Sequence, residues 1–264
     1  GVHLVCFDAD REASGRATIR VDRLQSQPEQ LEGKIEFLSL CPALPQSLST
    51  HRSDGGSELE SPVALLTNGR GGMARLAIDF GQIKSKYDCL LGANLHPTVP
   101  VDRYVLAKRA RIWVNAGGLI TALSHDNLVS LSPGPPARWR YLICAGKGRW
   151  VPLEVTIDMI EDQNTVVIRC ERMVSKDVLF EEVESLYGRS NAERAKAVSP
   201  DLIDQIPVSL TLRVDIEDRS FHSETKRNSG SDHHLAAHTK ALSEDVGFVF
   251  QPAEDRRLLV SSDR

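Results

Sequence analysis

Apolar side chains in this sequence recur mainly at every second position. The clearest run is Val151, Leu153, Val155, Ile157 and Met159, with Pro152, Glu154, Thr156 and Asp158 between them. Successive side chains of a strand point to opposite faces, so a period of two predicts a half-buried strand with one dry face. Residues 165–170 are expected to pair with it across a turn at 161–164. Val208, Leu210, Leu212, Val214 and Ile216 repeat the pattern, with Ser209, Thr211, Arg213, Asp215 and Glu217 on the opposite face. Further strand-like runs occupy 63–66, 73–80, 87–95, 103–114, 119–123 and 139–144. They are separated by Gly- and Pro-rich breaks at 67–72, 115–118, 133–136 and 146–148. Strand signals at this spacing, parted by turn residues, are the grammar of hairpins and meanders. Helical spacing is confined to 175–197, where Val178, Leu179, Val183 and Leu186 recur, and Gly188 interrupts it. One helix or two short ones on the rim are expected there. The fold class that follows is mainly β, an antiparallel β-sandwich with one or two short peripheral helices.

The pattern also divides the chain. Residues 1–41 hold three β-like pieces, 2–7, 17–21 and 35–40, with a loop or short turn of helix at 26–33. Residues 42–62, PALPQSLSTHRSDGGSELESP, are rich in Ser, Pro and Gly and poor in apolar residues, which is the composition of a flexible connection. The expected organisation is a small β segment at 1–41, a linker at 42–62 and a main β domain at 63–264. Whether the first segment stands apart or adds an edge to the main sheet is left open by the sequence.

A chain of 264 residues can bury a substantial core, and its 41% hydrophobic and 26% charged residues are ordinary for a globular protein. The formal net charge of -4 supplies no general attraction to nucleic acid or anionic lipid, and no apolar run reaches the roughly 20 residues of a membrane span. Neither nucleic acid nor membrane is an expected partner. Cys6, Cys41, Cys89, Cys144 and Cys170 are odd in number, scattered and without a C-x-x-C pair. Reduced, structural thiols and a cytoplasmic protein are the expectation.

Residues 62–91, PVALLTNGRGGMARLAIDFGQIKSKYDCLL, carry the most specific motif. An apolar run breaks at Thr67-Asn68-Gly69-Arg70-Gly71-Gly72, a tight turn built of residues that tolerate positive φ. Lys86-Tyr87 then stand just before Leu90-Leu91. This order resembles the N-terminal domain of glycogen debranching enzymes of the amylo-α-1,6-glucosidase type, whose pattern reads LTNGLGGYASGT and then TRRYHGLL. Thr67, Asn68, Gly69, Gly71, Gly72, Lys86, Tyr87, Leu90 and Leu91 fit it. Met73, Arg75-Leu76 and Asp88-Cys89 depart from it, the last pair standing where His-Gly is usual. The likeness resumes at 101–108 and around 212–234. It implies a super-sandwich type β fold, followed in the family by a helical α/α barrel that carries the hydrolytic carboxylates. The chain stops at Arg264 without such helices. The resemblance therefore implies part of a glycoside hydrolase, with no catalytic residue of its own. Hydrolysis needs two carboxyl groups about 5 to 9.5 Å apart across the scissile bond, and none here sits in a recognisable setting.

The most polar, ligand-like stretch is 217–240, EDRSFHSETKRNSGSDHHLAAHTK. His222 and Glu224 share a face if extended, and His234 and His238 share one if helical. Two or three of these with a carboxylate would suit zinc, but the loop expected at 227–232 parts them and no H-E-x-x-H motif is present, so no metal or other cofactor is expected. Charged and amide groups beside an aromatic residue are how sugar hydroxyls are held. Asn68, Arg70, Lys86, Tyr87, His222, Glu224, Arg227, Asn228, Asp232, His233 and His234 are therefore the candidate carbohydrate- or domain-contacting residues. Trp113, Trp139 and Trp150 lie in or beside strands, where packing is favoured over sugar stacking. The glycine turn is not a P-loop, because no G-K-[ST] follows it.

The functional expectation is a non-catalytic β-sandwich domain of a debranching α-1,6-glucosidase. It would support the catalytic barrel of the same polypeptide and help position α-glucan, glycogen or limit dextrin. A stand-alone carbohydrate-binding module and a purely structural interaction domain are the alternatives.

Overall fold

A computed structural model of the chain describes residues 15–23, 29–37, 63–96, 102–173, 183–184, 186–196, 198, 200–224, 226 and 228–263. The chain divides into two compact units, Gly1–Thr50 and His51–Arg264. In the first, β1 (Gly15–Arg23) and β2 (Glu29–Phe37) pair antiparallel, with Gly15 opposite Phe37 and Arg23 opposite Glu29. Strand β2 starts inside the stretch expected to be a loop. Gly33 sits in the ladder opposite Ile19, so a glycine that reads locally as a breaker is carried by strand pairing. The expected strand at 2–7 and the expected linker at 42–62 lie outside the described residues.

The second unit is built from antiparallel sheets. Its first strands are β3 (Val63–Thr67), β4 (Met73–Ala77), β5 (Cys89–Asn94), β6 (Arg103–Ala116) and β7 (Leu119–Ala122). A 3₁₀ turn (His125–Asn127), capped by Ser124, leads into β8 (Leu128–Ser132), β9 (Ala137–Cys144), β10 (Trp150–Met159) and β11 (Val166–Arg172). Helices α1 (Arg189–Lys196) and α2 (Pro200–Asp204) precede β12 (Val208–Ser220). Helix α3 (Ser229–Ala237) and strands β13 (Thr239–Ala241), β14 (Val246–Ala253) and β15 (Arg256–Ser262) complete it. The larger sheet runs β12-β6-β5-β4-β3, with β7 also paired to β6, and the smaller runs β11-β10-β9-β8. A third sheet is ordered β13-β14-β15.

The period-two residues explain the layering. Val151, Leu153, Val155 and Ile157 of β10 are at most 2% exposed and share one core with Ala110, Ile112 and Val114 of β6 and Leu66 of β3. Each fully buried aliphatic side chain of this kind contributes about 1.5–3 kcal/mol relative to exposure. Two sheets facing one another across that core make the expected sandwich. Trp139 stands at its centre. It is fully buried, donates its Nε1 hydrogen to the Ile78 carbonyl at 2.9 Å and meets Phe80 edge-on at 5.2 Å. Phe250 and Leu258 bring the third sheet into the same core. On the opposite face of the smaller sheet, Leu142 and Trp150 are covered by Val183, Leu186 and Ala192. Trp139 and Trp150 are thus packing residues, as their place in strands suggests.

Three expectations change. Helices form outside 175–197: α2 follows it, and α3 replaces the loop expected at 227–232, started by Asn228, whose Oδ1 accepts the Ser231 amide at 2.9 Å. Strand β8 was not anticipated. The third difference concerns the dry face of β12. Leu210 lies opposite Val114 and Leu212 opposite Ile112, yet they are 41% and 45% exposed. β12 is the end strand of its sheet, so alternation aims these residues at the core side without supplying a layer to cover them.

Candidate functional site

The glycine turn between β3 and β4 is held by Asn68, which is buried. Its Oδ1 accepts the amides of Arg70 (3.0 Å) and Gly72 (2.9 Å), closing an Asx-type turn. Gly69 and Gly71 complete the reversal at φ of 75° and 86°, a region where glycine has no steric penalty. The Asn68 amide reaches the other sheet: Nδ2 donates to the Gln163 carbonyl (2.8 Å) and to Asn164 Oδ1 (3.4 Å). Asn164 in turn donates to the Asn94 carbonyl (2.8 Å) and accepts the Asn94 amide (3.1 Å), and Asn94 Nδ2 donates to the Arg70 carbonyl (2.7 Å). Three asparagines therefore staple the β3–β4 turn to the β10–β11 turn. Gly72 has to be glycine here, because a Cβ would lie 2.4 Å from Asn68 Nδ2 and 2.8 Å from Asn164 Oδ1.

The residues that depart from the debranching pattern come together. Arg75 forms an ion pair with Asp88, whose second oxygen accepts the amides of Lys84 (2.7 Å) and Ser85 (2.8 Å). Met73 and Cys89 are also neighbours: the Cys89 thiol lies 3.8 Å from the Met73 carbonyl, and both pack with Val105, Phe221 and Tyr87. Burial pushes the Cys89 thiol up to about 11.

Two candidate stretches far apart in sequence meet beside this cluster. Tyr87 stacks against Phe221 at 5.1 Å and meets His222 edge-on at 5.9 Å. Lys86 donates to the His222 carbonyl (3.4 Å) and lies 3.6 Å from Glu224. Lys86, His222 and Glu224 are exposed and Tyr87 is half-buried, so a cation, an imidazole, a carboxylate and a phenol share one solvent-facing edge. Arg219 positions it from beneath. It is 5% exposed, pairs with Glu217 at 2.8 Å and donates to the carbonyls of Lys86 (2.5 Å), Phe221 (3.2 Å) and Ser223 (3.0 Å). Arg103 ties this edge to the glycine turn. Its Nε donates to the Gly71 carbonyl at 2.6 Å while its guanidinium lies over the Phe221 ring at 4.9 Å.

The remaining candidates sit on another element. Asn228 caps α3, and Asp232, His233 and His234 lie on that helix. His238 follows it, with its ring 4.3 Å from that of His234 and its Nδ1 2.8 Å from the His234 carbonyl. Arg227 lies outside the described residues. A cavity of about 320 Å³ beside the helix end is lined in part by His238, Lys240, Gln251 and Glu254. Among the described residues no group of three or more His, Cys, Asp or Glu side chains is placed to hold a metal ion. Asn94, Asn164, Arg103 and Arg219 were missed by sequence reasoning. Only the turn signal at 161–164 hinted at any of them, and nothing local marks their partners.

Residues 64–181 match the family model described as glycogen debranching enzyme N terminal. That stretch is similar to the N-terminal region of glycogen debranching enzymes. The match starts in β3, includes the glycine turn and the Arg75–Asp88 pair, and runs through both faces of the sandwich to beyond β11. Neither the curated proteins nor the solved structures gave a match. Within the matched stretch, the residues following the glycine turn form the dense hydrogen-bonded part of the site, whereas Phe221, His222 and Glu224 are contributed from beyond it.

Proposed function

We propose that residues 63–264 act as the non-catalytic β-sandwich of a debranching α-1,6-glucosidase, supporting a helical catalytic barrel of the same polypeptide and holding α-glucan near it. The observation that carries this reading is the convergence of Lys86 and Tyr87 with Phe221, His222 and Glu224 on one edge. Paired donors and acceptors beside an aromatic ring suit the hydroxyl groups and apolar face of a glucosyl unit. The family match over residues 64–181 supports α-glucan as the substrate class. Cys89 and Cys170 are free thiols, in keeping with a cytoplasmic setting. Among the described residues no helix is long and apolar enough to cross a membrane.

Calorimetric titration of the chain with a branched limit dextrin, with and without chelator, tests the reading. Chelator-insensitive binding that weakens at least five-fold in His222→Ala and Tyr87→Ala is the expected result. Binding abolished by chelator would instead point to a metal, and release of glucose from the dextrin by this chain alone would overturn the non-catalytic role. The half-exposed Leu210 and Leu212 favour a second reading, an interaction domain that binds protein alone. Failure to bind the dextrin, together with self-association relieved by Leu210→Ser, would select it.

A further inference from the structure

A different cluster occupies the outward face of the larger sheet. There β6 and β12 run in register, with Arg109 opposite Asp215, Arg111 opposite Arg213, Trp113 opposite Thr211 and Asn115 opposite Ser209. Like charges directly across a strand pair repel, so the facing arginines weaken the sheet unless an anion sits between them. Asp215 is that anion only in part. It accepts Arg109 Nε at 2.6 Å, Arg111 through both oxygens at 3.1 Å and Arg213 Nε at 2.9 Å. Three guanidinium groups thus share the Asp215 carboxylate, and even with Asp79 beside Arg111 the cluster keeps a net positive charge.

The excess is available to a ligand. Arg109 also donates to the Gly81 carbonyl at 3.2 Å, whereas the Arg111 side chain is 30% and the Arg213 side chain 63% exposed. Beside them lies Trp113, half-buried, with the Arg111 guanidinium 5.8 Å from its ring and exposed neighbours, Thr211 and Ala122, on either strand. An indole, a row of hydroxyl and amide groups and a positively charged arginine cluster therefore lie side by side.

We propose that this face binds a hexose monophosphate, with the phosphate on Arg111 and Arg213 and the pyranose against Trp113. Charge selects the class. A neutral sugar compensates no positive charge, whereas a phosphomonoester carries about −1.5 to −2 at neutral pH. Guanidinium groups also match phosphate oxygens in paired hydrogen bonds. Thr211, Asn115 and Ser209 provide partners for sugar hydroxyls. Burial raises the Asp215 carboxyl, but the hydrogen bonds and charges of Arg109 and Arg111 hold it below its usual range, in agreement with a strongly positive surrounding. This site does not rest on the glucan reading of the Tyr87–His222 edge and can fail or succeed without it.

The three tryptophans make the test direct. Trp139 is 0% and Trp150 2% exposed, so Trp113 is the indole that solvent-borne ligands reach. The full chain is titrated with glucose 6-phosphate at low ionic strength, following tryptophan fluorescence and, in parallel, heat. A saturable response is expected, with affinity reduced at least ten-fold in Arg213→Gln and no response to glucose at the same concentrations. Because Arg213 faces Arg111, its removal relieves repulsion, and Arg213→Gln is expected to resist urea at least as well as the parent. Absence of a saturable response, an unchanged affinity in Arg213→Gln, or equal binding of glucose or inorganic phosphate would overturn the proposal.

Discussion

Arg75 and Asp88, thirteen positions apart, are ion-paired across the loop that joins β4 to β5. Both depart from the debranching-family pattern, and so do Met73 and Cys89, which touch each other beside them. Departures that looked independent along the sequence are one repacked unit in the fold. A carboxylate in place of the usual histidine is accompanied by the cation that neutralises it.

That pairing is asymmetric, and mutation should show it. The Asp88 side chain is 3% exposed and also holds two loop amides, whereas Arg75 is 30% exposed. Breaking a buried ion pair from its more buried side leaves unsatisfied groups behind, at a cost near the lower end of the 3–5 kcal/mol range. Asp88→Ala is expected to lower stability by about 3 kcal/mol in urea unfolding, and Arg75→Ala by about 1 kcal/mol. Equal losses would mean that the loop amides contribute nothing.

The asparagine staple predicts a coupling. Asn68 and Asn164 are 96 positions apart and joined through Nδ2 and Oδ1, so Asn68→Ala and Asn164→Ala should be non-additive by about 0.5–3 kcal/mol in a double-mutant cycle. Gly72→Ala should cost about 2–3 kcal/mol, because the added methyl overlaps both side chains. It should become nearly harmless once Asn68 and Asn164 are both alanine.

Cysteine labelling should report the core. Burial raises the Cys89 and Cys170 thiols to about 11, so at pH 8 both are protonated and poorly nucleophilic. Alkylation mapped by mass spectrometry should reach Cys89, 0% exposed, only after unfolding. The folded values lie above the ordinary 9.0, so this stability is fully present below pH 9 and lost as pH rises toward 11. Rapid native labelling of Cys89 at pH 8 would contradict the packing around Met73.

Acid should act through Asp215. Burial raises its carboxyl, but the hydrogen bonds and charges of Arg109 and Arg111 outweigh burial and hold it below the usual 3.8. Its stabilisation is therefore present above pH 3.8 and lost as pH falls below that value through the lowered one. Asp215→Asn should be less stable than the parent at pH 7 and should lose less on acidification below pH 4. Parallel acid-unfolding curves for the two proteins would remove Asp215 from the account.

The sequence by itself determined the β class, the strands around 151–159 and 166–172, the glycine turn, the packing role of Trp139 and Trp150, and the choice of Lys86, Tyr87, His222 and Glu224 as candidates. These are local properties: alternation, positive-φ residues and side-chain chemistry are written within a few positions. What covers a face and what a polar group meets are not local. Alternation placed Leu210 and Leu212 on the core side, but only their position on an end strand left them half-exposed. Helix α3 has little apolar periodicity, and its start depends on the Asn228 cap, so it read as a loop. Lys86 and His222 are 136 positions apart, and Asn68 and Asn164 meet only because the two sheets stack. Hydrogen bonds and charge pairs between distant strands have no period along the chain, and the tertiary structure alone decided them.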